Sequence, residues 1–269
     1  MLGFLDYISL LLIFIFGVPH GAFDASIAMT LGYYKDLKSK FIFIIFYLLI
    51  SLIVAFTWFL FPQFVLTVFL FISILHFGLG DINWSKSYKC LLSAYINGGL
   101  IIFGISFLNF EEVDLIYQIL VYNKETENIW LILEYGAILW LILLPLHCFV
   151  NYKEFKKNYI LRIIISTVII LTTSPIFAFS FYFCFIHSFN HVKRILPSLK
   201  NNLSDKYIKN LFLFFTFFTW GLGILSLLYL IHSSSFDHSL IKVTFIGLAA
   251  LTFPHMVLVD LYFRPNIKT

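Results

Sequence analysis

A chain of 269 residues, 61% hydrophobic and only 12% charged, with mean hydropathy +0.94, has too little polar surface to coat a water-soluble globule. Such domains carry roughly 45–50% apolar and about 25% charged residues. The net charge of +4 resides in short loops between apolar runs, a topogenic pattern and not the footprint of a nucleic-acid binder. Cys90, Cys148 and Cys184 are scattered and form no CxxC pair, so buried reduced thiols are expected in place of a disulfide framework.

Apolar segments lie near 2–30, 41–61, 63–82, 90–108, 129–150, 160–174, 176–192, 210–231 and 239–263. Each of the longer ones suffices to span a bilayer as a helix. The expected fold is an all-α polytopic membrane bundle of about 7–9 spans, with residues 1–269 forming a single integral-membrane domain. The first segment lacks the basic flank and the small-residue cleavage site of a signal peptide, and is read as a retained span. Residues 160–174 and 176–192 are short and divided by Ser174-Pro175. They form either two tilted spans or a broken re-entrant pair. The connection at 109–128 is read as an acidic outer loop, with a short amphipathic helix around Val113–Val121 as the alternative.

The loops sort by charge. Lys35, Lys38 and Lys40 follow the first segment, Lys86 and Lys89 the third, and Lys153, Lys156, Lys157 and Arg162 the fifth. Lys193, Arg194, Lys200, Lys206 and Lys209 follow the seventh, and Arg264 and Lys268 the ninth. The opposite side carries Lys124, Lys242 and the acidic 109–128 loop. The positive-inside rule therefore places the C-terminus in the cytoplasm of a multi-pass cell-membrane protein.

Four histidine motifs stand inside this apolar background: Pro19-His20-Gly21-Ala22-Phe23-Asp24, His76-Phe77-Gly78-Leu79-Gly80-Asp81, His187-Ser188-Phe189-Asn190-His191 and Pro254-His255-Met256-Val257-Leu258-Val259-Asp260. Ionisable side chains at membrane depth are rare and face the protein interior, and imidazole is the commonest metal ligand. With the orientation above, all four motifs fall in the cytoplasmic halves of their spans, as a shared metal site requires. His187 and His191, four residues apart, share one face of a regular helix; the alternative is two histidines bonded to carbonyls of neighbouring helices. His20 and Asp24 have the same spacing, so Asp24 could accept the ring N–H of a metal-bound His20 and fix its tautomer. Asp81 and Asp260 follow their histidines by five residues, which turns them off the shared face of a regular helix. They are read as serving a neighbouring histidine or capping a helix end. Gly21, Gly78 and Gly80 would permit close helix approach, and Gly78 and Gly80 could also distort the helix near Asp81. His147 is read as an interfacial histidine, and His232 and His238 as loop residues. The 34 Phe suit lipid-facing surfaces and equally an aromatic tunnel for a long polyene.

The ordered motifs P-H-G-x-x-D, H-F-G-x-x-D, H-x-x-x-H and P-H-x-x-x-x-D resemble those of the bacterial and archaeal Brp/Blh-type β-carotene 15,15′-dioxygenases, in a likeness that covers essentially the whole chain. The resemblance implies a membrane-embedded enzyme that cleaves the central double bond of β-carotene with O₂ to give two all-trans-retinal, with non-haem Fe(II) as cofactor. It carries the iron ligands onto His20, His76, His187 and His191, leaves His255 and Asp260 as a nearby auxiliary group, and implies delivery of retinal to a rhodopsin-type protein. Imidazole suits iron, and motifs without cysteine argue against an iron–sulfur or structural zinc site.

Other readings differ in what they require. A membrane di-iron desaturase or hydroxylase uses about eight histidines with HxxHH clusters, none of which occurs here. A haem-binding carrier would show a Soret band. A transporter or rhodopsin-assembly factor would bind no iron and form no retinal.

Overall fold

The computed structural model describes residues 2–33, 35–82, 87–152 and 155–264, and among these the secondary structure is helical, with no strand. Lys86, Lys153 and Lys268, used above to orient the chain, lie outside the described residues. Among the described residues, seven helices are long and apolar enough to cross a membrane. In chain order the helices are α1 (Phe4–Thr30), α2 (Leu37–Leu60), α3 (Pro62–Asp81), α4 (Tyr88–Leu108), α5 (Phe110–Leu120), α6 (Glu127–Val150), α7 (Lys157–Thr172), α8 (Pro175–Phe181), α9 (Phe189–Asn202), α10 (Asp205–Leu230) and α11 (Phe236–Phe263). Of the divided pair, the first becomes the short helix α7. Ser174 then caps α8 by accepting from the Phe177 N–H, and a π-helical turn, Tyr182–Ser188, joins α8 to α9. The acidic connection at 109–128 contains the helix α5, contrary to its reading as a loop. Asp114 of α5 accepts from Gln118 Nε2, Thr126 Oγ1 and Trp130 Nε1, each at 2.6 Å. The bonds from Thr126 and Trp130, with the burial of Val113, Tyr117 and Leu120, supply the tertiary support that a helix this short needs.

The chain divides into two compact units, Met1–Leu60 with Ser188–Thr269 (unit 1) and Phe61–His187 (unit 2). In unit 1, α1 and α11 run parallel. Tyr7 OH donates to Asp237 at one end, and the rings of His20 and His255 meet further along both helices. Neither helix is regular. α1 contains a π turn, Ile13–Gly17, followed by a 3₁₀ segment, Val18–Phe23, and α11 ends in a π turn, Val257–Phe263. Pro19 and Pro254 each remove a ladder N–H at these places. The Phe14 carbonyl in the first irregular stretch is taken by the Trp220 indole N–H of α10 at 2.7 Å. Below the histidines, Phe23, Ile27, Ile195, Leu199, Leu258 and Phe263 form a buried core.

In unit 2, α3 and α4 touch backbone to backbone. A Cβ at Gly78 would lie 1.8 Å from the Ala94 carbonyl oxygen, and one at Gly98 would lie 1.8 Å from that of Ile74. α3 stays α-helical through Asp81, so Gly78 serves close approach and not distortion. Gly21 does not share that role, because the space at its Cβ is open.

Candidate metal centre

Unit 1 gathers three histidines. The ring centroids of His20 and His191 are 5.4 Å apart, and His255 lies 5.0 Å from each. His191 and His255 are buried, and His20 is at the margin of burial at 9% exposure. His20 sits in the 3₁₀ segment, where its Nδ1–H reaches back to the Gly17 carbonyl; Ser188 Oγ is 3.4 Å from the same nitrogen. With Nδ1 acting as donor, the neutral ring carries its lone pair on Nε2, the form a metal ligand needs.

Asp24 does not bond to His20. It accepts from His255 Nδ1, at 2.8 and 3.0 Å to its two oxygens, and from Tyr47 OH of α2 at 2.8 Å. The expected His20–Asp24 pairing assumed α-helical spacing. In the 3₁₀ segment that ends at Phe23, four residues make a turn and a third, which moves Asp24 off the face of His20. Asp260 lies in the closing π turn of α11 and pairs with Arg264 Nε at 2.8 Å.

Unit 2 holds a second group. His76, in the last turns of α3, and His187, in the π turn, are both buried, with ring centroids 4.9 Å apart. Phe77 packs edge-on against His187 at 4.8 Å, and Phe183 stacks on it at 6.0 Å and 13°. Asp81 pairs with Arg162 of α7 (Nη1 to Oδ1, 3.3 Å) and accepts from Tyr182 OH at 2.9 Å. Arg162 also donates to the Asp81 carbonyl at 3.0 Å and to Asn97 Oδ1 at 3.3 Å. Asp81 is therefore an ion-pair partner that ties the end of α3 to α7 and to the π turn after α8, and Arg162 is part of this lock as well as a topogenic charge. The chain passes from one unit to the other between His187 and Ser188, four residues before His191.

The remaining histidines are placed apart from these groups. His147 is buried. Asn151 Nδ2 donates to its Nδ1 at 3.1 Å, which leaves Nε2–H to meet Tyr159 OH at 3.1 Å. With both nitrogens so engaged it has no lone pair to offer a metal. His232 bonds to the Leu228 carbonyl, and His238 lies in the first turn of α11, at the Tyr7–Asp237 end.

Tyr47, Tyr182 and Arg162 were not singled out from sequence as parts of the site. A signal existed for each: a phenol inside an apolar helix needs a hydrogen-bond partner, and Arg162 falls within the apolar helix α7 and not in the loop before it.

Buried imidazoles, with Nδ1 of His20 and of His255 each held by an oxygen acceptor, fit a ferrous ion, which takes imidazole readily. The β-carotene 15,15′-dioxygenase family model matches residues 11–263. A protein named β-carotene 15,15′-dioxygenase from uncultured marine bacterium 66A03 is 30% identical over 263 residues, covering 97% of this chain and 95% of that protein. No solved structure matches. On the family model and the full-length relative together, the chain belongs to the β-carotene 15,15′-dioxygenase family.

Proposed function

We propose that this protein cleaves the 15,15′ double bond of β-carotene with O₂ to give two molecules of all-trans-retinal, at one non-haem Fe(II) held by His20, His76, His187 and His191. The family membership supports the reaction class. The observation that carries the metal reading is the set of buried imidazoles in otherwise apolar spans, with His20 and His191 5.4 Å apart in unit 1 and His76 and His187 4.9 Å apart in unit 2. Bound Fe(II) would supply activation of O₂ beside the alkene. The chain's own residues do the rest. His20 is set in the ligating tautomer by the Gly17 carbonyl. Phe77 and Phe183 wall His187 with aromatic surface that excludes water and suits a polyene. On this reading residues 1–269 are one integral-membrane domain.

β-Carotene is a hydrocarbon already dissolved in the bilayer. Entry between helices spares it passage through water, and the largely lipid-facing helices α2, α6 and α10 are consistent with a body immersed in lipid. The basic residues Lys35, Lys38, Lys193 and Arg194 cluster in sequence near the histidine-bearing ends of unit 1, so these ends and the C-terminus face the cytoplasm. Retinal would leave toward a rhodopsin-type acceptor. The di-iron alternative, which draws on all eight histidines, is disfavoured by the bonded His147 and by His238 at the opposite end of α11.

The test is expression in β-carotene-producing cells with chromatographic analysis of products. A C20 aldehyde alone is expected. Longer apocarotenals as main products overturn central cleavage, and intact carotene in iron-replete membranes containing the folded protein overturns the enzyme reading.

A further inference from the structure

We infer that His255 is an additional ligand to the iron, with Asp24 and Tyr47 as positioning residues that hold its imidazole in the ligating form; the inference rests on the iron reading above. Three helices converge to orient this ring. Asp24 of α1 takes the Nδ1–H at 2.8 and 3.0 Å, and Tyr47 of α2 fixes the carboxylate at 2.8 Å. The neutral ring of α11 therefore carries its lone pair on Nε2. A carboxylate on the far nitrogen is the usual partner of a metal-bound imidazole, fixing the tautomer and raising ligand basicity. Its ring centroid lies 5.0 Å from those of both His20 and His191, and the ring is nearly perpendicular to His20 at 88°.

Charge supports the same assignment. Asp24 is 3% exposed, and among the described residues no Lys or Arg pairs with it. An isolated buried carboxylate is costly, and two neutral donors compensate it only in part. A dication bound to the far side of the imidazole supplies the missing positive charge through the ring. The competing arrangement is an imidazolium on His255 forming a purely structural ion pair with Asp24, which would need no iron.

The experiment uses the full-length protein in detergent, stripped of metal and titrated with Fe(II) against a competing chelator. The unsubstituted chain is compared with His255→Ala, Asp24→Asn and His20→Ala. His255→Ala should lose iron affinity by more than Asp24→Asn, for which a loss of about 10–100-fold is expected. Free imidazole should restore binding to His255→Ala, an effect that a structural ion pair would not show. If His255→Ala and Asp24→Asn both bind iron like the unsubstituted chain while His20→Ala does not, the inference falls and the iron reading stands. If the unsubstituted chain binds no Fe(II), the iron reading itself falls and takes this inference with it. Should His255→Ala fail to fold, Asp24→Asn, which conserves volume, decides: unchanged affinity overturns the inference.

Discussion

In unit 1 the motif aspartate, Asp24, faces an imidazole and a phenol; in unit 2 its counterpart, Asp81, faces a guanidinium and a phenol. The two motifs look alike in sequence, each a histidine followed within five residues by aspartate. The charge arithmetic differs. Asp81 is already compensated by Arg162, so its work is mechanical: it fixes the end of α3, and with it His76, while Arg162 also takes the Asp81 carbonyl left over at the helix end. Asp24 has only neutral donors if His255 is neutral, and the inferred metal on the far side of the ring would supply the missing positive charge. A buried carboxylate near a metal histidine is thus not defined by its motif; the partner on its other side decides what it does.

The largest expected effect comes from breaking the unit 2 lock on one side. Arg162→Met should destabilise the protein by about 3–5 kcal/mol, because it leaves Asp81 charged and buried. Arg162→Met combined with Asp81→Asn should recover most of that loss, since no bare charge remains. Thermal unfolding in detergent measures both. A double variant as unstable as the single one would show that the pairing is not what holds this end of α3, and the contrast with Asp24 would fail.

Much of the centre was legible because polar residues in apolar spans are conspicuous: His20, His76, His187, His191 and His255 all stand out against Leu, Ile and Phe. The partnerships were not legible. Pairing Asp24 with His20 presumes 3.6 residues per turn, and the π and 3₁₀ turns at Ile13–Phe23, Tyr182–Ser188 and Val257–Phe263 remove that period at three of the four motifs. Such turns are frequent at functional sites and have no simple sequence signature beyond a nearby proline, as at Pro19 and Pro254. Asp24 and Tyr47, or Asp81 and Arg162, meet only through tertiary packing, which periodicity does not encode. The helix α5 was underestimated for the same reason, since its support comes from Thr126 and Trp130.

Asp114 sharpens the comparison as a carboxylate with neither imidazole nor guanidinium. Its partial burial pushes its pKa up, but hydrogen bonds from Thr126, Trp130 and Gln118 outweigh this and hold it below the ordinary value of 3.8. A depressed carboxylate pKa stabilises the fold above the unfolded value and loses that contribution as pH falls through the folded one. Asp114→Asn should therefore cost a small amount at neutral pH, less than about 1 kcal/mol for a group this exposed to solvent. The gap between the two proteins should shrink below about pH 4. Unfolding temperatures from pH 7 to pH 3 measure it; a gap that widens in acid would contradict the assignment.

The central claim is the proposal that His20, His76, His187 and His191 hold one iron, and metal analysis of the purified chain tests it most directly. The unsubstituted protein should carry one iron per chain, and His20→Ala in unit 1 and His76→Ala in unit 2 should each lose it while remaining folded. Iron retained at the unsubstituted level in either folded variant would contradict a single shared centre.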